Sequence, residues 1–348
     1  MIPHESSLLD PGQLVSAAFS LPLLSLVLAA IIAGGILLTR RGSARQRGRV
    51  RLDPTEARGV GARYRPEHRA LGITALAVIV AFVTENLLTG YALDMYDVVS
   101  WWRYATPIFA AALGLTVLLM IVVGRGSAPA ERPVIPAVRR TWLSFSTRGA
   151  CAGAAVAVLA LTITTIAAGF ASSNIGDGPY VFLEIPIPNE TIDPLRPRFY
   201  GWAYGIPVLV CLVALSAVGA GALHANAARA FLRPGTVVAE QRARRDIAIG
   251  ITRIVTAAAL LALAGAWRFI ADAGSATQLI VQGDGGGDAY EAVWRYADLA
   301  IAGGWLAPAV EILAFVLLIL VAAQLRGRSY GADPVVGAAD TVVAKAAR

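Results

Sequence analysis

A chain of 348 residues that is 57% hydrophobic and only 15% charged has more apolar surface than a soluble fold needs, since soluble domains run at about 45–50% apolar. Its net charge of +7 is gathered into alternate loops between long apolar runs, which removes nucleic-acid binding as the explanation of the charge. The expectation is an all-α, polytopic membrane protein with no room for a large soluble domain.

Seven runs are long enough to cross a bilayer, at 14–38, 70–92, 104–124, 149–171, 203–223, 247–271 and 297–324, given that a crossing helix takes roughly 20 mostly apolar residues. The segment 1–13 before the first run contains His4, Glu5 and Asp10 and no basic residue. A cleaved signal peptide expects a basic start, so the first run is read as a retained helix. Ten arginines follow it in the loop 39–69, where Asp53-Pro54 suits the start of a short helix, with Asp as cap and Pro at the first position. Five basic residues lie in each of 125–148 and 224–246, and four from 325 to the end. The alternate loops hold four, namely Arg103, Arg196, Arg198 and Arg295. Basic loops stay cytoplasmic, so the N-terminus is expected outside and the C-terminus in the cytoplasm.

Runs two to seven then form three hairpins, and each returning helix opens on a related signature. The first two are Trp102-Arg103-Tyr104 and Trp202-Ala203-Tyr204, with Pro107 and Pro207 three residues after the tyrosine. The third is Trp294-Arg295-Tyr296, and its proline, Pro308, comes later. Tandem duplication would produce this pattern, and so would the preference of Trp and Tyr for the membrane interface. Pro22, Pro107, Pro207 and Pro308 all fall in helices running inward, where each removes a backbone hydrogen bond. Small residues recur at 149–155, 219–222 and 303–304 and let helices approach closely. The longest outer loop, 172–201, contains a strand-like stretch from Tyr180 to Ile185. The Ala- and Gly-rich tail 329–348 is expected to be flexible.

Ionisable groups inside the runs are the candidates for chemistry, because a charge in the bilayer is costly. Glu311, one turn after Pro308, is the first choice for an intramembrane ion or substrate site, and Glu85, within Thr84-Glu85-Asn86, is the second. Arg253, Arg268 and Asp298 are supporting charges. Arg268 is expected to snorkel outward and pair with Asp272 four residues on, and Glu85 either to line an outward-facing cavity or to pair with Arg103 or another outer arginine. Asp284, Asp288 and Glu291 are too few to make a convincing oxygen site for a hard cation, and Asn189-Glu190-Thr191 fits a glycosylation pattern by chance.

No metal motif, nucleotide loop or nucleophile–base pair appears, so no cofactor is expected and an enzyme is unsupported. Lys345 is the only lysine beside twenty-nine arginines, which suggests a GC-rich bacterial genome and a bacterial plasma membrane. Cys151 and Cys211 fall at different depths and are expected to be free. The leading functional expectation is a transport-related protein, either a small permease or the membrane subunit of a transport system. The alternative is a scaffold or sensor whose Arg-rich loops hold protein partners or anionic lipid. The bilayer is the expected partner; a partner subunit or homo-oligomer remains open, and nucleic acid is not expected.

Overall fold

The computed structural model describes residues 23–46, 54–88, 99–126, 141, 145–188, 193–231, 233–276, 278–283 and 286–326. Seven helices lie among them: α1 (Leu24–Gln46), α2 (Pro54–Leu87), α3 (Thr106–Gly126), α4 (Arg148–Ala171), α5 (Trp202–Ala228), α6 (Val237–Gly274) and α7 (Ala297–Ala322). Six of them, α2 to α7, are long and apolar enough to cross a membrane. The apolar part of α1 spans Leu24–Thr39 and is shorter. The predicted first run, 14–38, is described only from Leu23 onward, so six of the seven expected runs are matched among the described residues by helices of crossing length.

Two predicted loops are largely helix. Residues 54–69 continue α2 without a break through Pro66. Most of 224–246 belongs to α5, which runs on to Ala228, or to α6, which begins at Val237 after a 3₁₀ turn over Pro234–Thr236. Hydropathy ends a span where charge begins, but these charges pair with one another across α2, α5 and α6. Tertiary pairing therefore overrides the polar composition. Asp53, the proposed cap, lies outside the described residues, but Pro54 does open the helix. At α4 the capping is local: the Thr147 hydroxyl oxygen accepts from the Ala150 N–H at 3.3 Å.

The α6 helix is the axis of the bundle. It packs against α2, α3, α4, α5 and α7, while α1 sits outside the ring against α7. Alanine explains why α6 can be central: Ala257, Ala258, Ala259, Ala262, Ala264 and Ala266 are all buried, and small side chains let five neighbours come close. The α6–α7 seam is close-packed. A Cβ on Gly304 would lie 2.7 Å from that of Ala271, and one on Gly274 2.9 Å from that of Ala300.

The helices define two ends. At the basic end, His68 of α2 meets Gln324 beyond α7 at 3.2 Å, and α5 turns into α6. At the aromatic end lie Tyr104, Tyr200, Phe269 and Trp294. Within the predicted outer loop 172–201, β1 (Ser172–Ser173) pairs with β2 (Phe182–Leu183), and Phe182 and Ile185 bridge to Arg198 and Leu195. Val181, Leu183, Ile185 and Phe199 are buried, so this segment is a packed cap. A hairpin of β3 (Gln278–Gly283) and β4 (Gly286–Glu291), in register from Gln278↔Glu291 to Gly283↔Gly286, joins α6 to α7. Asp284 and the pattern at Asn189 lie outside the described residues, as does the tail 329–348.

Candidate functional site

Glu311 lies halfway along α7 and is 2% exposed. Its carboxylate has two partners from two other helices. Arg268 of α6 brings Nη1 to 2.5 Å from Oε2, and the Ser25 hydroxyl of α1 donates to Oε1. A buried carboxylate needs such partners, because desolvation otherwise drives it to neutralise.

The arginine does not snorkel outward as predicted. Gly274 facing Ala300 and Gly304 facing Ala271 set the antiparallel register of α6 and α7. Arg268 is therefore level with Leu306 and Ala307, and its side chain reaches one turn deeper to Glu311. Helix spacing allows this, since four residues rise about 6 Å, within the span of an arginine side chain. Asp272 faces Arg268 and Arg103 electrostatically but is solvent-exposed. Glu85 faces Arg103 and the Trp102 indole, in keeping with the expected partner. Phe82 and Phe315 touch edge to face, with ring centroids 5.6 Å apart. Glu85 lies three residues beyond Phe82 and Glu311 four residues before Phe315 on the antiparallel helix, so the two carboxylates sit at closely similar depths.

Arg268 thus lies between Glu311 and Asp272, and the charge of Arg103 is felt by both Asp272 and Glu85, so groups of opposite sign gather around this part of the bundle. Toward the basic end no such series follows Glu311 among the described residues. Phe315 and Leu318 continue its face of α7 and are at most 1% exposed, and Leu71, Ala75 and Val78 of α2 are fully buried. Of the remaining candidates, Asp298 is exposed in the first turn of α7 and Arg253 is half-buried within α6. Neither is drawn into the Glu311 pair.

Tyr104 and Tyr204 bring two of the three Trp-x-Tyr signatures into contact, with ring centroids 5.5 Å apart. Both tyrosines are buried, and Tyr104 also stacks on Phe269 at 5.9 Å. Burial holds the Tyr104 and Tyr200 hydroxyls well above the usual phenol range. In the third signature the roles change: Tyr296 is 45% exposed, while Trp294 packs against Phe199 and covers Gly274. The three signatures are therefore not equivalent in space.

Sequence reading missed a second charged group, at the basic end. Arg63, Tyr64 and Glu67 occupy one face of α2, and Arg229, Thr236, Glu240 and Arg244 surround the α5–α6 elbow. Arg229 Nη1 donates to Glu67 Oε1 at 2.7 Å. Arg244 donates to the backbone carbonyls of Arg229 at 2.6 Å and Ala230 at 2.8 Å, and from Nε to the Tyr64 hydroxyl at 3.0 Å. The Tyr64 hydroxyl donates to Glu240 Oε2 at 3.1 Å. Thr236 holds the other Glu240 oxygen at 2.9 Å. Tyr64, Glu67, Glu240 and Arg244 are all fully buried. Glu240 and Arg244 at i,i+4 on an apolar-flanked helix were the available signal; hydropathy had assigned them to a loop.

Among the described residues no cluster of three metal-ligating side chains occurs, and both cysteines are free thiols. Compared with protein-family models, curated proteins and solved structures, the chain matches none.

Proposed function

We propose that this is an integral membrane protein of seven crossings, N-terminus outside and C-terminus in the cytoplasm, that moves a solute or ion across the bilayer of a bacterial cell. Glu311 is its central ion- or proton-carrying group. One observation carries this proposal: a carboxylate buried at mid-helix in an apolar bundle, held between an arginine of the axial helix and a hydroxyl of the peripheral one. Intramembrane ionisable groups are costly and mark ion or substrate pathways. Packing alone does not call for one, because a hydrophobic replacement of a buried ion pair is often neutral or stabilising.

Glu311 exchanges its Arg268 partner for a proton or cation in this mechanism, and Arg268 then turns toward Asp272. Arg103 stands ready to balance both Asp272 and Glu85. Glu311→Gln keeps the shape and the Ser25 hydrogen bond but cannot titrate. In vesicles containing the purified protein, solute-coupled proton uptake read by an internal pH dye is expected to disappear in Glu311→Gln, with folding intact. Uptake equal to that of the parent protein contradicts the assignment.

A scaffold that binds anionic lipid is the second reading. Arg65, Arg69, Arg125, Arg148, Arg242 and Arg245 are exposed at the basic end. Each basic residue near an anionic surface contributes about 1 kcal/mol. That reading leaves Glu311 without a role.

A further inference from the structure

The charged group at the basic end divides into a fixed half and a detachable half. Arg244 donates to the two carbonyls that follow α5, those of Arg229 and Ala230, and Asn226 of α5 donates to the Arg244 carbonyl at 3.0 Å. Thr236 and Glu240 complete the elbow. These contacts hold α5 to α6 by neighbouring segments of chain. The α2 contacts differ, because they join the elbow to residues more than 150 positions away. Glu67 binds Arg229, Tyr64 bridges Glu240 and Arg244, and Arg63 faces Glu240 at 3.7 Å. Arg229 also lies over the Tyr64 ring, 5.2 Å from its centroid. Three residues of one helix face, Arg63, Tyr64 and Glu67, make this attachment.

Pro66 lies inside that face, between Tyr64 and Glu67. It has no N–H to donate to the Ala62 carbonyl, and proline is a common site of helix bending. A bend at Pro66 therefore lets α2 from Glu67 onward, with Leu71, lean away from the axial helix once the clamp lets go. Beyond the clamp, the way from the basic end to Glu311 is closed by Leu318 and Phe315 of α7 and by Leu71 of α2, whose side chain covers Gly250 of the axial helix. Opening that way requires α2 to part from α6, and the clamp opposes it.

We propose that Arg63, Tyr64 and Glu67, locked onto Arg229, Glu240 and Arg244, form a releasable gate that closes the basic end of the pathway to Glu311, with Pro66 as its hinge. The purpose of the gate rests on the transport reading; its existence as a two-state contact does not. An ion-pair clamp suits this role because its desolvated charges gain hydration on opening, which an apolar seam does not.

The test uses the full chain in lipid vesicles, with Cys151 and Cys211 replaced and one cysteine introduced by Leu318→Cys. Labelling by a membrane-impermeant thiol reagent from the basic side is compared with the clamp intact and with Glu67→Gln and Arg229→Gln together, so that no charge is orphaned. The labelling rate is expected to rise about tenfold, within the usual range of coupling between two states. An unchanged rate in the folded double variant overturns the gate. If the double variant does not fold, Tyr64→Phe, which removes only the bridging hydroxyl, must raise the rate severalfold, and no rise overturns it. A parallel cysteine at Glu311, probed from the aromatic side, separates the two ideas. Faster labelling at 318 with 311 sealed keeps the gate and discards transport, whereas an accessible 311 with 318 unaffected does the reverse.

Discussion

Glu311 and Arg268 show how far a single residue's environment departs from its sequence neighbourhood. Asp272, four residues on, is the partner that helix spacing suggests, but the tight α6–α7 seam puts Glu311 within closer reach. Arg268 remains 36% exposed, while Glu311 is almost fully enclosed. Removing the arginine therefore injures the carboxylate more than the reverse. Arg268→Ala is expected to lower stability by about 2 kcal/mol, the order of cost for orphaning a buried charged acceptor with a half-exposed partner. Adding Glu311→Gln to Arg268→Ala should recover most of that loss, as chemical unfolding in detergent would register. Equal stability of parent and Arg268→Ala would mean that the pair does not hold the carboxylate.

At the scale of elements, the α6–α7 seam and the α5–α6 elbow carry the fold in different ways. The seam depends on the absence of side chains. Gly304→Leu forces a branched chain where a Cβ already meets Ala271 at 2.7 Å, and overpacking costs about 1–3 kcal/mol. A lowered melting temperature and displacement of Glu311 are expected together. The elbow depends on one arginine. Arg244→Ala leaves two carbonyls and Glu240 short of a donor and should cost about 3–5 kcal/mol. Its exposed neighbour in Arg245→Ala should stay within about 0.5 kcal/mol, and the two melting curves measure the contrast. The apolar spans were legible because hydropathy alone sets them. A helix start at Pro54 was also legible, but its unbroken course through 69, and the helix over 237–246, were not, since they depend on pairs such as Glu67 with Arg229 that are distant in the chain. The hairpin after α6 did leave a signal, Asp284-Gly285 between two strand-like stretches, which the search for spans passed over. Glu311 stood out as an isolated charge, but the partnership of Arg268 and Ser25 required the packing of three helices.

For the whole molecule, one alanine-rich axial helix surrounded by five others runs from a charged aromatic end to a clamped basic end. The arginine distribution predicts that the basic end faces the cytoplasm. Glu311 sits where the charges of opposite sign gather and the apolar closure begins. An aqueous path is expected to reach this point from one side. A single cysteine at position 311, in a chain with Cys151 and Cys211 replaced, measures it directly through labelling by an impermeant thiol reagent applied to each face in turn. Labelling from the aromatic face and protection from the basic face is the predicted result. Protection from both faces in a folded protein would contradict the account and make Glu311 a packing residue.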